Sequence, residues 1–446
     1  MFIISKIRYE LKKAFDRIRD EEIKRSILQA IPFWFASLIT GLIAVIYSQL
    51  FIVAEHVATS VFHFNRWFLF ILTPACFVLS WWIVKAFAPF AKGSGIPQVM
   101  ASIDLSTPRT AHFVGRLLSL RIIIVKVFSS LIMAAGGGAI GREGPTIQIA
   151  ASVFRLVNEK LPAWMPKIAK QNVLVAGAAA GLAAAFNTPL GGIVFAIEEL
   201  TKKHFSYYKT AIFSSVIIAG LTAQGMLGSY LYLGYPQISN TSSYIILGVL
   251  LVAAVSGLSG SIMSKFLLAV FKWKSTFKTD KENLFYTFGC ALLIACIACF
   301  ISFDVMGSGK EIIVKHLFTE DKHASWYTPL LRIVGPVISF GAGGAGGIFA
   351  PALGAGASIG SAVASWFDLA DTNTNLLILT GMVGFLTGVT RSPFTSAILV
   401  LEMTDRHSVI FYLILAGMVS GMVSLLIDKH SFYDHLKKQY IMDLKA

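Results

Sequence analysis

The stretch "FNTPLGGIVFAIEEL" (residues 186–200) returns in altered form as "TRSPFTSAILVLEMT" (residues 390–404). Pro189 aligns with Pro393 and Glu198 with Glu402, each pair 204 positions apart. Two further signals keep the same order. "GSG" stands at 93–95 and again at 307–309, 214 positions on, and the glycine-rich "GGGAIGREGP" (136–145) has its counterpart in "GAGGAGGIFAP" (341–351). Elements recurring in one order mark an internal duplication, and in membrane transport proteins duplicated halves usually place a shared site where they meet.

The 446 residues are 55% hydrophobic and 14% charged, well above and well below the averages for soluble domains. The chain is an integral membrane protein. Apolar runs near 67–87, 113–133, 211–233, 244–271 and 409–427 have about the 20 residues that a helical crossing needs. Lipid admits only helices or closed barrels, and these runs lack the alternation of barrel strands. The sequence therefore predicts an all-α polytopic fold. The segments 173–185, 190–200, 376–389 and 394–403 are short and cut by Gly, Pro or polar residues. They read as broken helices, which survive where their ends are buried in protein or line a cavity. Each helix start offers unpaired N–H groups and a partial positive charge, so several aimed at one place bind an anion without any full positive charge.

The net charge of +14 sits mainly in the first 25 residues and in hydrophilic gaps such as 202–209 and 272–281. That is the distribution of cytoplasmic flanks, not of a nucleic-acid surface. "GSYLYLGYPQISNTSS" (228–243) has no Lys or Arg and is assigned to the opposite side, with both termini cytoplasmic. Its Asn240 matches a glycosylation sequon of a kind common by chance. Residues 1–30 are read as a cytoplasmic amphipathic helix on the membrane surface, 31–235 as the first membrane repeat, 236–430 as the second, and 431–446 as a cytoplasmic tail holding the end of the last helix. The Cys296-x-x-Cys299 pair has no second pair to complete a metal site, and no disulfide scaffold is indicated. The chain has no HExxH and no P-loop, so neither an enzyme nor an ATP-driven pump is indicated, and no cofactor is expected.

Glu143, in "GREGP" (141–145), falls within an otherwise apolar stretch. A carboxylate at membrane depth is costly and marks function by default. Pairing with Arg142 is the structural alternative, but adjacent residues on a helix do not face each other. Gly144-Pro145 can open a helix here, which puts Glu143 at a helix N-terminus, where a carboxylate can itself fill an anion site.

"GSGIP" (93–97), "GREGP" and "GGIFAP" (346–351) resemble, in order and rough spacing, the three signature segments of the CLC chloride channel and transporter family. Segments 186–200 and 390–404 fit as well, and the resemblance spans about residues 30 to 440. It implies two inverted-topology repeats of tilted and broken helices per subunit, and a homodimer with one anion pathway in each subunit. It assigns the central chloride to the Ser94 hydroxyl, the backbone N–H groups of Ile348 and Phe349, and a tyrosine near the end of the last helix. Tyr433 fills that role, with Tyr440 as rival. Glu143 matches the gating glutamate, competing with chloride near the N–H groups of Arg142 and Gly144 until protonated. Glu199 matches the inner proton glutamate of antiporter members, which channel members generally lack. The structural alternative is an acid facing the cytoplasm at a helix C-terminus.

The resemblance thus implies chloride/proton exchange rather than a passive channel, with Ser94 and Tyr433 favouring chloride. Gln98 and Met100 stand where some bacterial antiporters carry an acid. The end at Ala446 leaves no room for appended nucleotide-sensing domains. Compactness suggests a prokaryotic plasma membrane. Without the resemblance, broken helices and inverted halves equally suit a sodium-coupled symporter for organic solutes.

Overall fold

A computed structural model describes residues 20–445 except 163, 167, 202–208, 229–230, 239–243, 321, 368 and 370. Asn240 and most of the expected N-terminal surface helix lie outside the described residues. Among those described, regular structure is helical. The first half comprises α1 (Glu21–Asn65), α2 (Leu69–Phe87), α3 (Ile96–Asp104), α4 (Leu120–Ala135), α5 (Glu143–Glu159), α6 (Lys170–Phe186), α7 (Pro189–Phe195) and α8 (Lys209–Leu227). The second comprises α9 (Ile245–Lys274), α10 (Asp280–Phe300), α11 (Lys310–Phe318), α12 (Thr328–Ala342), α13 (Phe349–Trp366), α14 (Asp371–Thr390), α15 (Pro393–Thr404) and α16 (Ile410–Ile427), and α17 (Phe432–Lys445) ends the chain.

The halves pack alike. α1 lies on α6 and α8 as α9 lies on α14 and α16, α5 packs on α6 as α13 on α14, and α2 packs on α4 as α10 on α12. Between halves the contacts α2 with α10, α5 with α13 and α7 with α15 join equivalent elements. A pseudo-two-fold axis produces that pattern. Among the described residues, six helical stretches are long and apolar enough to cross a bilayer, and Phe64, Phe411 and Leu426 are more than 80% exposed, as suits side chains facing lipid.

Three expectations need correction. The boundary at residue 30 falls inside α1, which runs unbroken for 45 residues: Pro32 does not end the helix. The crossing expected to reach residue 233 stops at Leu227, because Gly228 takes a left-handed φ of 82°, and Tyr232 and Leu233 are buried in the protein. Tyr433 lies in the first turn of the last helix, not near its end. Asp428 causes this: its carboxylate accepts from the His430 N–H and pairs with the His435 ring, so α16 stops and a new helix starts.

Close helix packing rests on small residues. On α13 and α14, a Cβ at Gly356 would lie 2.2 Å from Gly381 O, and one at Gly381 would lie 2.1 Å from Gly356 O. Without a hydrophobic drive between helices in lipid, such backbone approach supplies the packing. Gly381→Ala is therefore expected to cost at least about 1–3 kcal/mol, read as a lower melting temperature and yield in detergent. Gly289→Ala, whose Cβ would meet nothing within 4 Å, leaves both unchanged. Equal melting temperatures for the two variants would contradict this packing.

Candidate functional site

Backbone hydrogen bonds join the glycine-rich segments at the middle of the molecule. The Gly93 N–H donates to Gly344 O (2.9 Å) and the Gly346 N–H to Gly93 O (3.1 Å), while Gly141 and Gly347 exchange a pair at 2.8 and 2.6 Å. This clamp needs glycine. Gly93 and Gly95 adopt φ of 65° and 105°, and a Cβ at Gly144 would lie 2.1 Å from Ser94 Oγ. The starts of α3, α5 and α13 are thereby gathered around Ser94, Glu143 and Phe349. Free N–H groups at those starts supply partial positive charge.

Of the residues expected at the site, the structure brings together Ser94, Arg142, Glu143, Gly144, Ile348, Phe349 and Tyr433, all of them buried. The Ser94 and Tyr433 hydroxyls are neighbours, and neither makes a hydrogen bond of ordinary geometry. The Tyr433 ring stacks on Phe349 with centroids 6.1 Å apart and planes at 11°. Tyr440 lies elsewhere: its ring packs on Phe90 and against the Lys92 ammonium. Gln98 Nε2 donates to Phe90 O and Lys92 O, bracing the turn that presents Ser94.

Glu143 begins α5 with 1% exposure. The Arg142 guanidinium donates to Ser48 O and lies over the Tyr232 ring.

Glu199 is 3% exposed in a π-helical turn, Ala196–Leu200, that continues α7. It does not face open cytoplasm, and it accepts a 2.6 Å hydrogen bond from Ser392 Oγ. Glu198 plays a different part, accepting from the N–H groups of Phe394 and Thr395 and from the Thr395 hydroxyl. Glu402 caps α7 in return, through the N–H groups of Leu190 and Gly191. The acids aligned by the repeat are thus structural caps. Glu199 aligns with Met403 and stands outside the repeat.

Three residues escaped sequence reasoning. Lys126, fully buried on α4, donates from Nζ to Gly93 O at 2.8 Å, so a basic side chain does stand beside the glycine clamp. A lone lysine within an apolar run was the available signal. Tyr232 donates to Glu143 Oε1 at 3.3 Å, with its ring against Phe186 and the Lys310 ammonium 4.3 Å from the ring centroid. Ser392 holds Glu199. No local pattern marks either of these two.

Fold and site together define a polytopic helical membrane protein whose two repeats meet at a buried site of hydroxyls and helix N-termini, flanked by two buried carboxylates. Residues 75–425 match the profile of the family described as voltage gated chloride channel. The chain belongs to that family and has its fold of two inverted repeats. It is 28% identical over 375 residues to the "H(+)/Cl(-) exchange transporter ClcA" of Vibrio parahaemolyticus, covering 80% of this chain and 76% of that one. The protein of the same name from Cronobacter sakazakii is 29% identical over 358 residues, covering 78% and 75%. Among solved structures, a slow cyanobacterial Cl-/H+ antiporter superposes with a TM-score of 0.82 at 21% identity, covering 94% of this chain and 99% of that one. A CLC-type fluoride/proton antiporter gives 0.77 at 18%, covering 93% and 98%.

Tyr433→Ala removes a buried hydroxyl beside Ser94, so halide affinity measured by calorimetry should fall about tenfold. Tyr440→Phe should leave it unchanged, and the reverse ranking would move the site to Tyr440.

Proposed function

We propose that the protein exchanges chloride for protons across the membrane, each subunit holding its own pathway. The observation that carries this reading is the pair of buried glutamates near the Ser94 and Tyr433 hydroxyls. Their hydroxyl protons, with the N–H groups of Ile348 and Phe349, hold the central chloride as donors. Lys126 braces the turn before Ser94 through its bond to Gly93 O.

Ionised Glu143 occupies the outer part of the pathway, at the start of α5 near the N–H groups of Arg142 and Gly144. Protonation removes the charge that α5 favours, so the side chain leaves and chloride takes its place. One carboxylate thereby serves as anion mimic and proton carrier. Glu199, held by Ser392, passes protons on the inner side. The names of the relatives support this reading, as does the presence of both glutamates.

The Lys- and Arg-rich gaps 202–209 and 272–281 support cytoplasmic termini. We place the protein as a homodimer in a prokaryotic plasma membrane. Its substrates are chloride and protons, it requires no cofactor, and it is not an enzyme.

In proteoliposomes with an outward chloride gradient and no sodium, the wild type takes up protons uphill. Glu199→Gln retains chloride flux and loses proton movement. Glu143→Gln keeps flux but loses both coupling and pH response. Chloride flux without proton movement in the wild type would make the protein a passive channel, and a sodium requirement would remove it from anion exchange altogether. Tyr232→Phe keeps the ring and removes a donor that favours the ionised gate, so its flux–pH curve shifts to higher pH. An unchanged curve would show that the Tyr232 hydroxyl does not hold Glu143.

A further inference from the structure

A cavity of about 350 Å³ opens between the ends of α2, α9 and α12, the start of α10, and α17. It lies beneath the basic 272–281 gap and reaches Gly93, the residue before Ser94. Its volume is that of a small-molecule site, and three lysines line it. Lys85 is neutralised by an ion pair with Asp280. Lys274 donates to Gly341 O and Ala342 O at 3.1 and 2.8 Å, leaving one ammonium hydrogen for another acceptor. Lys92 rests over the Tyr440 ring, its Nζ 5.4 Å from the centroid. Among the described residues no ion pair joins Lys92 or Lys274 to a carboxylate. The two ammonium groups are close enough to repel each other. Asp443 is the acid near enough to favour the Lys92 ammonium, yet it forms no ion pair with it; two like charges withdrawn from water are costly, and an anion that touches both relieves desolvation and repulsion together.

We propose that this cavity binds a phosphate-bearing anion, held between Lys92 and Lys274. Chloride alone does not account for its size, and a group with several oxygens can accept from two diverging ammoniums at once. Basic pockets between membrane helices take phosphate from lipid headgroups, and a soluble phosphate offers the same group. Trp81 and Phe340 on the walls provide flat apolar faces for the remainder of the ligand. Bound there, the anion abuts Gly93 and the Leu436–Tyr440 stretch of α17, so it obstructs the inner approach to Ser94 and slows chloride flux.

The test is calorimetric titration of the purified full chain with inorganic pyrophosphate in low-chloride gluconate buffer. A parallel arm measures melting temperature in neutral phosphatidylcholine and in phosphatidylcholine with added cardiolipin. The wild type binds pyrophosphate saturably or is stabilised by cardiolipin. Pyrophosphate binding without a cardiolipin effect assigns a soluble ligand, and the converse assigns a lipid headgroup.

Lys92→Gln weakens the effect about tenfold, as expected for one charge-assisted bond. Among the described residues its Nζ makes no hydrogen bond, so the variant folds. Lys274→Met weakens it as well. Lys437→Gln, on α17 but paired with Asp104 and outside the cavity, binds like the wild type. The proposal fails if the wild type responds to neither probe, or if Lys92→Gln responds as strongly as the wild type. These readouts need no proton coupling, so they stand or fall apart from the antiport reading.

Discussion

The backbone clamp between Gly93 and Gly344/Gly346, and between Gly141 and Gly347, is the constraint on which the rest depends. Helix starts carry orphan donors and partial positive charge, and burying three of them together is unfavourable unless something fixes their spacing and supplies acceptors. Four main-chain bonds do both, and they leave the outermost N–H groups of α3, α5 and α13 turned to a common centre. Glycine is the requirement throughout: left-handed φ at Gly93 and Gly95, and no room for a side chain at Gly144 or Gly347.

Duplication supplies the scaffold and divergence supplies the function. Lys126 donates to Gly93 O in the first half and Arg332 to Gly307 O in the second, so each GSG turn is braced by a buried basic side chain. Glu198 and Glu402 cap each other's repeat. The serines then part company. Ser94 turns its hydroxyl toward Tyr433, whereas the Ser308 N–H is taken by Glu55 from α1. Glu199 likewise has Met403 for a counterpart. A two-fold scaffold has thus kept one site, not two.

Much of this was legible in the chain. Apolar runs gave the spans because lipid forces backbone pairing inside each segment, and the GSG and GREGP turns were readable because their glycines answer a backbone need. Glu143 stood out because its cost at membrane depth demands a reason. The unreadable parts depend on distant contacts. Tyr232 lies in a polar connection that resembles any surface loop, yet it folds back onto a residue 89 positions away. Ser392 reaches Glu199 across 193 positions. The division of labour between Glu198 and Glu199 is invisible in "EE", since it depends on which carboxylate meets the start of α15. The break before Tyr433 needed the Asp428 side chain to be seen in place.

The mutual capping of α7 and α15 bears on how the chain is made. Glu198 finds its partners 196 and 197 positions later, and the α7 start waits for Glu402 across more than 210. At ribosomal rates of about 5–20 residues per second, the first half spends on the order of ten seconds or longer in the bilayer with an acid and a helix start unsatisfied. The early half therefore has to remain accessible to water or to the insertion machinery until its twin arrives. Biogenesis ends with the two halves closing on each other, and the ion pathway exists only from that moment.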